Sequence, residues 1–229
     1  MSFQIAIDGP VAAGKGTVAR LVASRLGFLY VDTGAMYRAS ALLGKQKGID
    51  LNNEAALSQE ISHSEMMLRN PLLSEQDGRQ ITVLLNGEDV SWMIRTEEMS
   101  RGASIVAQYA EVRKELVKKQ QRIAQTTHVV MEGRDITFRV LPDAQMKIYL
   151  DASVETRAKR RHQELLSRGV DTAYEQVYKD IEDRDARDMG RKVDPLHVVE
   201  GSWVLDTTNL TIEDVVELIA TKAKELGAV

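Results

Sequence analysis

Ile5-Ala6-Ile7-Asp8-Gly9-Pro10-Val11-Ala12-Ala13-Gly14-Lys15-Gly16-Thr17 is the stretch from which the fold is read. An apolar run ends in a glycine-bounded turn, and the turn opens a helical pattern at Gly14-Lys15. Gly9 and Gly14 stand five apart and Lys15 follows at once, the spacing of a loop that cradles phosphate. Such glycines let backbone N–H groups turn inward around phosphate oxygens. The helix start adds unpaired N–H donors and the positive end of a dipole. Lys15 offers a mobile cation for the β- and γ-phosphates. A glycine-rich turn before an ordinary helix is the plain alternative. The apolar strand before it and the apolar-periodic helix after it favour nucleotide binding, with Gly9 to Thr17 as the ATP-binding loop. The general pattern has Ser or Thr directly after the Lys as a magnesium ligand. Here Gly16 holds that place and Thr17 comes next, so the loop alone assigns no metal ligand.

Working outward, Phe3–Ile7 reads as a strand buried on both faces. Gly14–Leu26 reads as a helix with Val18, Leu21, Val22 and Leu26 on one stripe, stopped at Gly27. Phe28–Val31 is a second short strand. Strand, phosphate loop, helix and strand form a βαβ unit, which predicts an α/β protein with a doubly wound parallel sheet. Asp32-Thr33-Gly34-Ala35-Met36-Tyr37-Arg38 follows at the carboxyl end of that strand, where open sheets bind ligands. Asp32 or Thr33 can cap the next helix, with Arg38 about a turn further in. A cap followed by a solvated Arg would explain this stretch equally well.

After a helix at Asn53–Ser62 the texture changes. Met66–Leu68, Gln80–Leu85 and Glu88–Val90 read as short strands, and Asn86-Gly87 is a strong hairpin signal. Antiparallel hairpins do not belong inside a parallel series, so about 63–100 reads as a small insert. Thr96 to about Gln108 and Glu111–Gln125 are the next helices. His128–Met131, Met146–Leu150 and Trp203–Leu205 complete five parallel strands, the first of these ending in Glu132-Gly133-Arg134-Asp135. Residues 154–167 form a helix. Thr172 and Glu175 read as a capping box for another, running to about Met189. Thr211 and Asp214 cap a last amphipathic helix that closes near Gly227.

The 229 residues suit one domain with a sizeable core. With 30 basic and 34 acidic residues the net charge is −4, which gives no reason to expect nucleic-acid polymers or membrane surfaces as partners. No cysteine is present, so disulfides and thiolate metal sites are excluded. No leader or long apolar run is visible, and a cytoplasmic protein is expected.

Two helices carry the chemistry. Arg157, Arg160 and Arg161 lie on the first, and Arg184, Arg187 and Arg191 lie near the end of the second, joined through Arg168-Gly169-Val170-Asp171 as a helical hairpin. Surface ion pairs explain part of this, since Asp185 and Asp188 can pair with neighbours. Arginine outweighs lysine on the second helix, however, and arginine suits bidentate recognition of phosphoryl oxygens. An arginine-rich flap over a phosphate loop fits phosphoryl transfer, which relies on positioning, charge stabilisation and exclusion of water.

Taken together, Gly9-Pro10 with Gly14-Lys15-Gly16-Thr17, Asp32 to Arg38, Asn86-Gly87-Glu88-Asp89-Val90, Ile94-Arg95, Gly133-Arg134-Asp135, Pro142-Asp143-Ala144 and Asp206-Thr207-Thr208 resemble the bacterial cytidylate kinases. These belong to the P-loop nucleoside monophosphate kinases. The resemblance spans nearly the whole chain. It implies transfer of the ATP γ-phosphoryl to CMP or dCMP, with Mg²⁺, giving CDP or dCDP and ADP in pyrimidine metabolism. It implies a monomer with a core (about 1–62, 101–154 and 190–229), a monophosphate-binding insert (about 63–100) and a lid (about 155–190). Carried over position by position, base contacts fall on Ser104, Arg113 and Asp135. Monophosphate contacts fall on Arg38, Arg134 and Arg191, and sugar contacts on Arg184 and Asp188. Thr33 and Asp32 stand near the acceptor, and Lys15, Arg157, Arg160, Arg184 and Arg187 supply charge for transfer.

The base chemistry agrees. A carboxylate at Asp135 accepts from the cytosine N4 amino group, and a guanidinium at Arg113 donates to N3 or O2. Uracil places an acceptor at O4, which Asp135 would repel. A well-made polar pair of this kind is worth about 1–3 kcal/mol of discrimination. Two positions depart from the family pattern. Ile136-Thr137-Phe138-Arg139 stands where a Gly-Thr pair is usual, and Glu132 stands where Asp is common. Kinases for UMP or AMP, a nucleotide-driven switch, and a charged α/β domain without catalysis are the competing readings.

Overall fold

The computed structural model describes residues 2–75, 77–167 and 169–228. Arg168, in the link between the two arginine-bearing helices, lies outside the described residues. The chain opens with β1 (Gln4–Asp8), α1 (Lys15–Leu26), β2 (Leu29–Asp32) and α2 (Thr33–Gln46). It continues with α3 (Glu54–His63), β3 (Met66–Arg69), β4 (Thr82–Leu85), β5 (Glu88–Asp89), α4 (Glu97–Val106) and α5 (Ala110–Thr126). Then follow β6 (Val129–Gly133), a π-helical turn (Ile136–Val140), β7 (Met146–Asp151), α6 (Val154–Ser167), α7 (Tyr174–Gly190), β8 (Trp203–Asp206) and α8 (Ile212–Glu225).

The five strands expected to be parallel are parallel, in the order β2-β6-β1-β7-β8. Ile5, Ala6 and Ile7 on β1 and Val129, Val130 and Met131 on β6 are fully buried. Helices cover both faces, which is why these central strands read as unbroken apolar runs. β1 sits in the middle and pairs with β6 on one side and β7 on the other, so its carboxyl end opens at the point where the winding reverses. Three chain segments therefore converge there: the loop after β1, the start of α2 after β2, and Gly133-Arg134-Asp135 after β6.

The insert forms the expected antiparallel sheet, β3-β4-β5. Asn86 and Gly87 both take positive φ, 51° and 83°, as a tight hairpin turn requires. The strand expected over Gln80–Leu85 is shorter, starting at Thr82.

Helices α6 and α7 pair as a hairpin with a small apolar centre of its own, Ala158, Val177 and Ile181. The capping box expected from Thr172 and Glu175 is absent: α7 begins at Tyr174 after Ala173, with no side-chain cap. The Thr172 carbonyl instead lies 2.9 Å from His162 Nε2, which holds it in the connection rather than in the first helical turn. The box expected at Thr211 and Asp214 does form.

Candidate active site

Glycine is required twice in the phosphate loop. A side chain on Gly9 would stand 2.1 Å from the Leu150 carbonyl oxygen of β7, and Gly14 enters α1 with φ 89°. No side chain caps α1. Its first N–H groups therefore remain available to an anion. Lys15 is almost fully buried and donates from Nζ to the Pro10 carbonyl at 2.8 Å, folding back along its own loop. Burial, then the charge of Arg134, lower its pKa to about 7, against the pull of Glu132 and Asp188. Those charges, with that of Arg184, place the lysine head beside the end of β6 and beside α7.

Arg157 and Asp185 form a buried pair at 2.6 Å that clamps this loop. Arg157 donates to the Val11 carbonyl at 3.0 Å and to the Ala152 carbonyl at 2.9 Å, while the Val11 N–H donates to Asp185 at 3.3 Å. Val11 and Ala12 also pack against the apolar centre of the α6–α7 hairpin. The hairpin thus lies on the phosphate loop. Arg160 faces elsewhere, donating to the Thr207 carbonyl and hydroxyl at the carboxyl end of β8. Arg187 is exposed and returns to the Asp183 carbonyl of its own helix. Of the arginines expected to act in transfer, Arg157 touches the loop and Arg184 acts electrostatically on Lys15, whereas Arg160 and Arg187 are not drawn in.

A second group lies beside the loop. Asp32 caps α2 by accepting from the Ala35 N–H and pairs with Arg38 at 2.7 Å. The Arg38 Nε is buried without a hydrogen-bond partner. Thr33 donates to the Glu132 carbonyl at 2.8 Å, stitching α2 to β6. Arg134 pairs with Asp188 of α7 at 2.7 Å. Arg95 of the insert, absent from the expected site, acts electrostatically on Asp32 beside Arg38. Burial, and then the charge of Asp32, push the Glu132 carboxyl up.

A third group is the proposed base pocket. Arg113, only 2% exposed, pairs with Asp135 and donates from Nε to Asp194 at 3.0 Å and from Nη1 to the Ala107 carbonyl at 3.3 Å. Its guanidinium stands 5.9 Å from the Tyr37 ring centroid. Arg191 Nη2 lies 3.9 Å from Asp135. Burial pushes Asp135 up to about 6 although Arg113 and Arg191 pull it down. Ser104 lies one turn before Ala107 on α4, with its hydroxyl turned back to the Ser100 carbonyl.

The loop after Asp135 is held by Asp8, a residue the sequence reading passed over. Asp8 accepts from the Ile136 N–H at 2.9 Å, the Thr137 N–H at 2.8 Å and the Thr137 hydroxyl at 2.6 Å. The departure at Thr137 is thereby explained: its hydroxyl anchors the π-helical turn to the end of β1. The available signal was an acid closing an otherwise apolar strand.

A phosphate loop at the switch point of a parallel sheet, with paired arginines and carboxylates gathered beside it, defines a P-loop nucleotide-binding protein of the kinase type. Residues 5–225 match the Cytidylate kinase family, to which this chain belongs. It is 48% identical to a cytidylate kinase of Caldanaerobacter subterraneus over 96% of this chain and 93% of that one. A cytidylate kinase of Bacillus subtilis is 45% identical over 95% and 94%. Among solved structures, an uncharacterized protein from Eubacterium ventriosum matches with a TM-score of 0.53 and 12% identity over 98% of this chain and 99% of that one, a likeness of fold alone. No helix among the described residues is long and apolar enough to cross a membrane.

Proposed function

We propose that this protein transfers the γ-phosphoryl of ATP to CMP or dCMP, giving ADP and the nucleoside diphosphate. The observation that carries the choice of acceptor is the buried Arg113–Asp135 pair beside Arg191. A carboxylate and a guanidinium side by side complement the amino donor and ring acceptors of cytosine. Arg38, Arg134 and Arg191 would hold the acceptor's phosphate, and the unpartnered Arg38 Nε supplies a donor for it. Arg184 and Asp188 would meet the sugar, and Ser104 the base, after its hydroxyl turns from Ser100. Gly9 to Thr17 would cradle the ATP phosphates.

The chemistry asks little of a general base, because the attacking oxygen belongs to a phosphate anion. What the chain supplies is charge and position. Lys15, Arg157 and Arg184 neutralise the transferring group, with Arg160 and Arg187 joining only after movement of α6 and α7. That hairpin serves as a lid (about 155–190) and the antiparallel sheet as the acceptor-binding insert (about 63–100), both on one core. Closing the lid excludes water, the competing acceptor.

Mg²⁺ fits this site as a guest of the nucleotide. Among the described residues no group of three or more acidic or histidine side chains could hold a metal by itself. Asp32 and Glu132 face each other across neighbouring parallel strands, and the Asp32 charge opposes ionisation of Glu132. A cation brought by the triphosphate would relieve that repulsion, and magnesium commonly uses one or two carboxylates with phosphates and water. When bound it screens the phosphate charge.

The test is ADP release with ATP and Mg²⁺, offering CMP, dCMP, UMP and AMP in turn. Turnover confined to CMP and dCMP is expected. Preference for UMP or AMP would overturn the base pocket and keep the kinase. Acceptor-independent hydrolysis alone would favour a nucleotide-driven switch.

A further inference from the structure

Asp194 lies just beyond α7, in the segment that leads from the lid back to the core. It is a non-glycine residue with φ 46°. Asp tolerates that region better than most residues, but it still carries strain there. The strained backbone turns the Asp194 carbonyl toward Arg191, which donates to it from Nε at 2.7 Å and also from Nη2. Its carboxylate points the other way, accepting from Arg113 Nε at 3.0 Å, and stands 3.7 Å from the half-exposed Arg139. One residue therefore stands between the arginine assigned to the base and an arginine assigned to the acceptor phosphate.

The Arg113 guanidinium has five N–H donors in a fixed plane. Asp135 takes one on Nη2, Ala107 takes one on Nη1, and Asp194 takes the single Nε donor. With the Nε edge occupied, the donors left for a ligand are the second hydrogens of the two terminal nitrogens. Without Asp194 the plane could turn about its bond to Asp135 and present a different edge. Arg191 depends on the same residue through the carbonyl.

We propose that Asp194 is a positioning residue that sets acceptor specificity, its carboxylate orienting Arg113 toward the base while its carbonyl orients Arg191 toward the phosphate. The assignment rests on the acceptor site proposed above. It also ties base recognition to the lid, because the Leu196 N–H beside Asp194 donates to the Asp188 carbonyl of α7 at 2.9 Å.

Asp194→Gly deletes the carboxylate and accepts the left-handed backbone, so it removes the side chain without adding strain. Asp194→Asn keeps one acceptor and the backbone preference but removes the charge. The expected order for CMP over UMP preference is wild type, then Asn, then Gly. In the Gly variant the loss of one charge-assisted hydrogen bond raises KM for CMP about tenfold, more than it lowers kcat. KM for ATP stays in place. A second readout is the acid limb of the CMP/UMP preference. Asp135 is faced by Arg113 from α5, Arg191 and Asp194 from the segment after α7, Tyr37 from α2 and Asp8 from β1. Removing the Asp194 charge leaves the arginines less opposed and moves that limb to lower pH.

Wild-type preference and limb in the Gly variant would overturn the proposal. So would an Asn variant no better than Gly, or KM for ATP rising in step with KM for CMP. If the wild-type protein neither binds nor turns over CMP, the acceptor assignment itself falls, an outcome read before any variant is made.

Discussion

Thr137→Val isolates one of the three bonds that hold the turn after Asp135 to the sheet. Thr137 is 1% exposed, and valine keeps its branched shape while setting a methyl where the hydroxyl stood, so the change opens no cavity and leaves the Asp8 carboxylate one donor short. That hydroxyl donates to Asp8 at 2.6 Å, while the Ile136 and Thr137 N–H groups donate to the same carboxylate. Burial pushes the Asp8 carboxyl up, and these donors and Lys15 oppose the shift. A hydrogen bond to a charged group is worth about 1.5–3 kcal/mol. For a chain of this size each kcal/mol moves the melting temperature by about 2–4 °C, so a fall of about 3–12 °C is expected. Thermal melts and urea unfolding measure it, with the urea slope unchanged because the surface exposed on unfolding is the same. Thr137→Ser restores the hydroxyl and most of the stability. The two backbone donors remain, so the turn loosens without release, and KM for CMP should rise more than KM for ATP. A valine variant melting within about 1 °C of wild type would refute the anchoring role.

Asp135→Asn replaces one N4 acceptor oxygen with a donor and should lower the CMP over UMP ratio of kcat/KM about 5- to 150-fold, the equivalent of 1–3 kcal/mol; an unchanged ratio would overturn the base pocket. In the wild type the same ratio should decline as pH falls through about 6. Asp135 has a raised pKa, is ionised above that value and protonated below it, and a protonated carboxyl meets the amino donor poorly; UMP controls for titration of the phosphate. Lys15, held near 7 in the free protein, should take up a proton when MgATP binds at pH 8. Calorimetry in buffers of different ionisation heat reads this, Lys15→Met should abolish it, and buffer-independent heats would contradict it. Gly9→Ala would drive a methyl into the Leu150 carbonyl of β7, and ATP binding should be lost; retention of wild-type affinity would show that the loop can move off the strand.

What the chain states locally, it states in sequence. The apolar runs at Phe3–Ile7 and His128–Met131 announce buried parallel strands because a sheet covered on both faces needs no polar alternation. Asn86-Gly87 announces its turn because only a few residue types accept positive φ in succession. Gly9, Gly14 and Lys15 announce the phosphate loop for the same local reason. The arginine set on α6 and α7 is legible as a set, but its partners are not. Thr172 and Glu175 have capping-box spacing, yet a contact with His162 across the hairpin wins. Arg160 and Arg187 read like Arg157, but only Arg157 meets the loop. Asp8 with Thr137, Arg113 with Asp194 and Arg157 with Asp185 join residues brought together only by folding. Secondary structure follows from backbone periodicity, which a short window of sequence contains. A buried charge must instead find a partner at hydrogen-bonding distance, and that choice is made by the packing of distant elements.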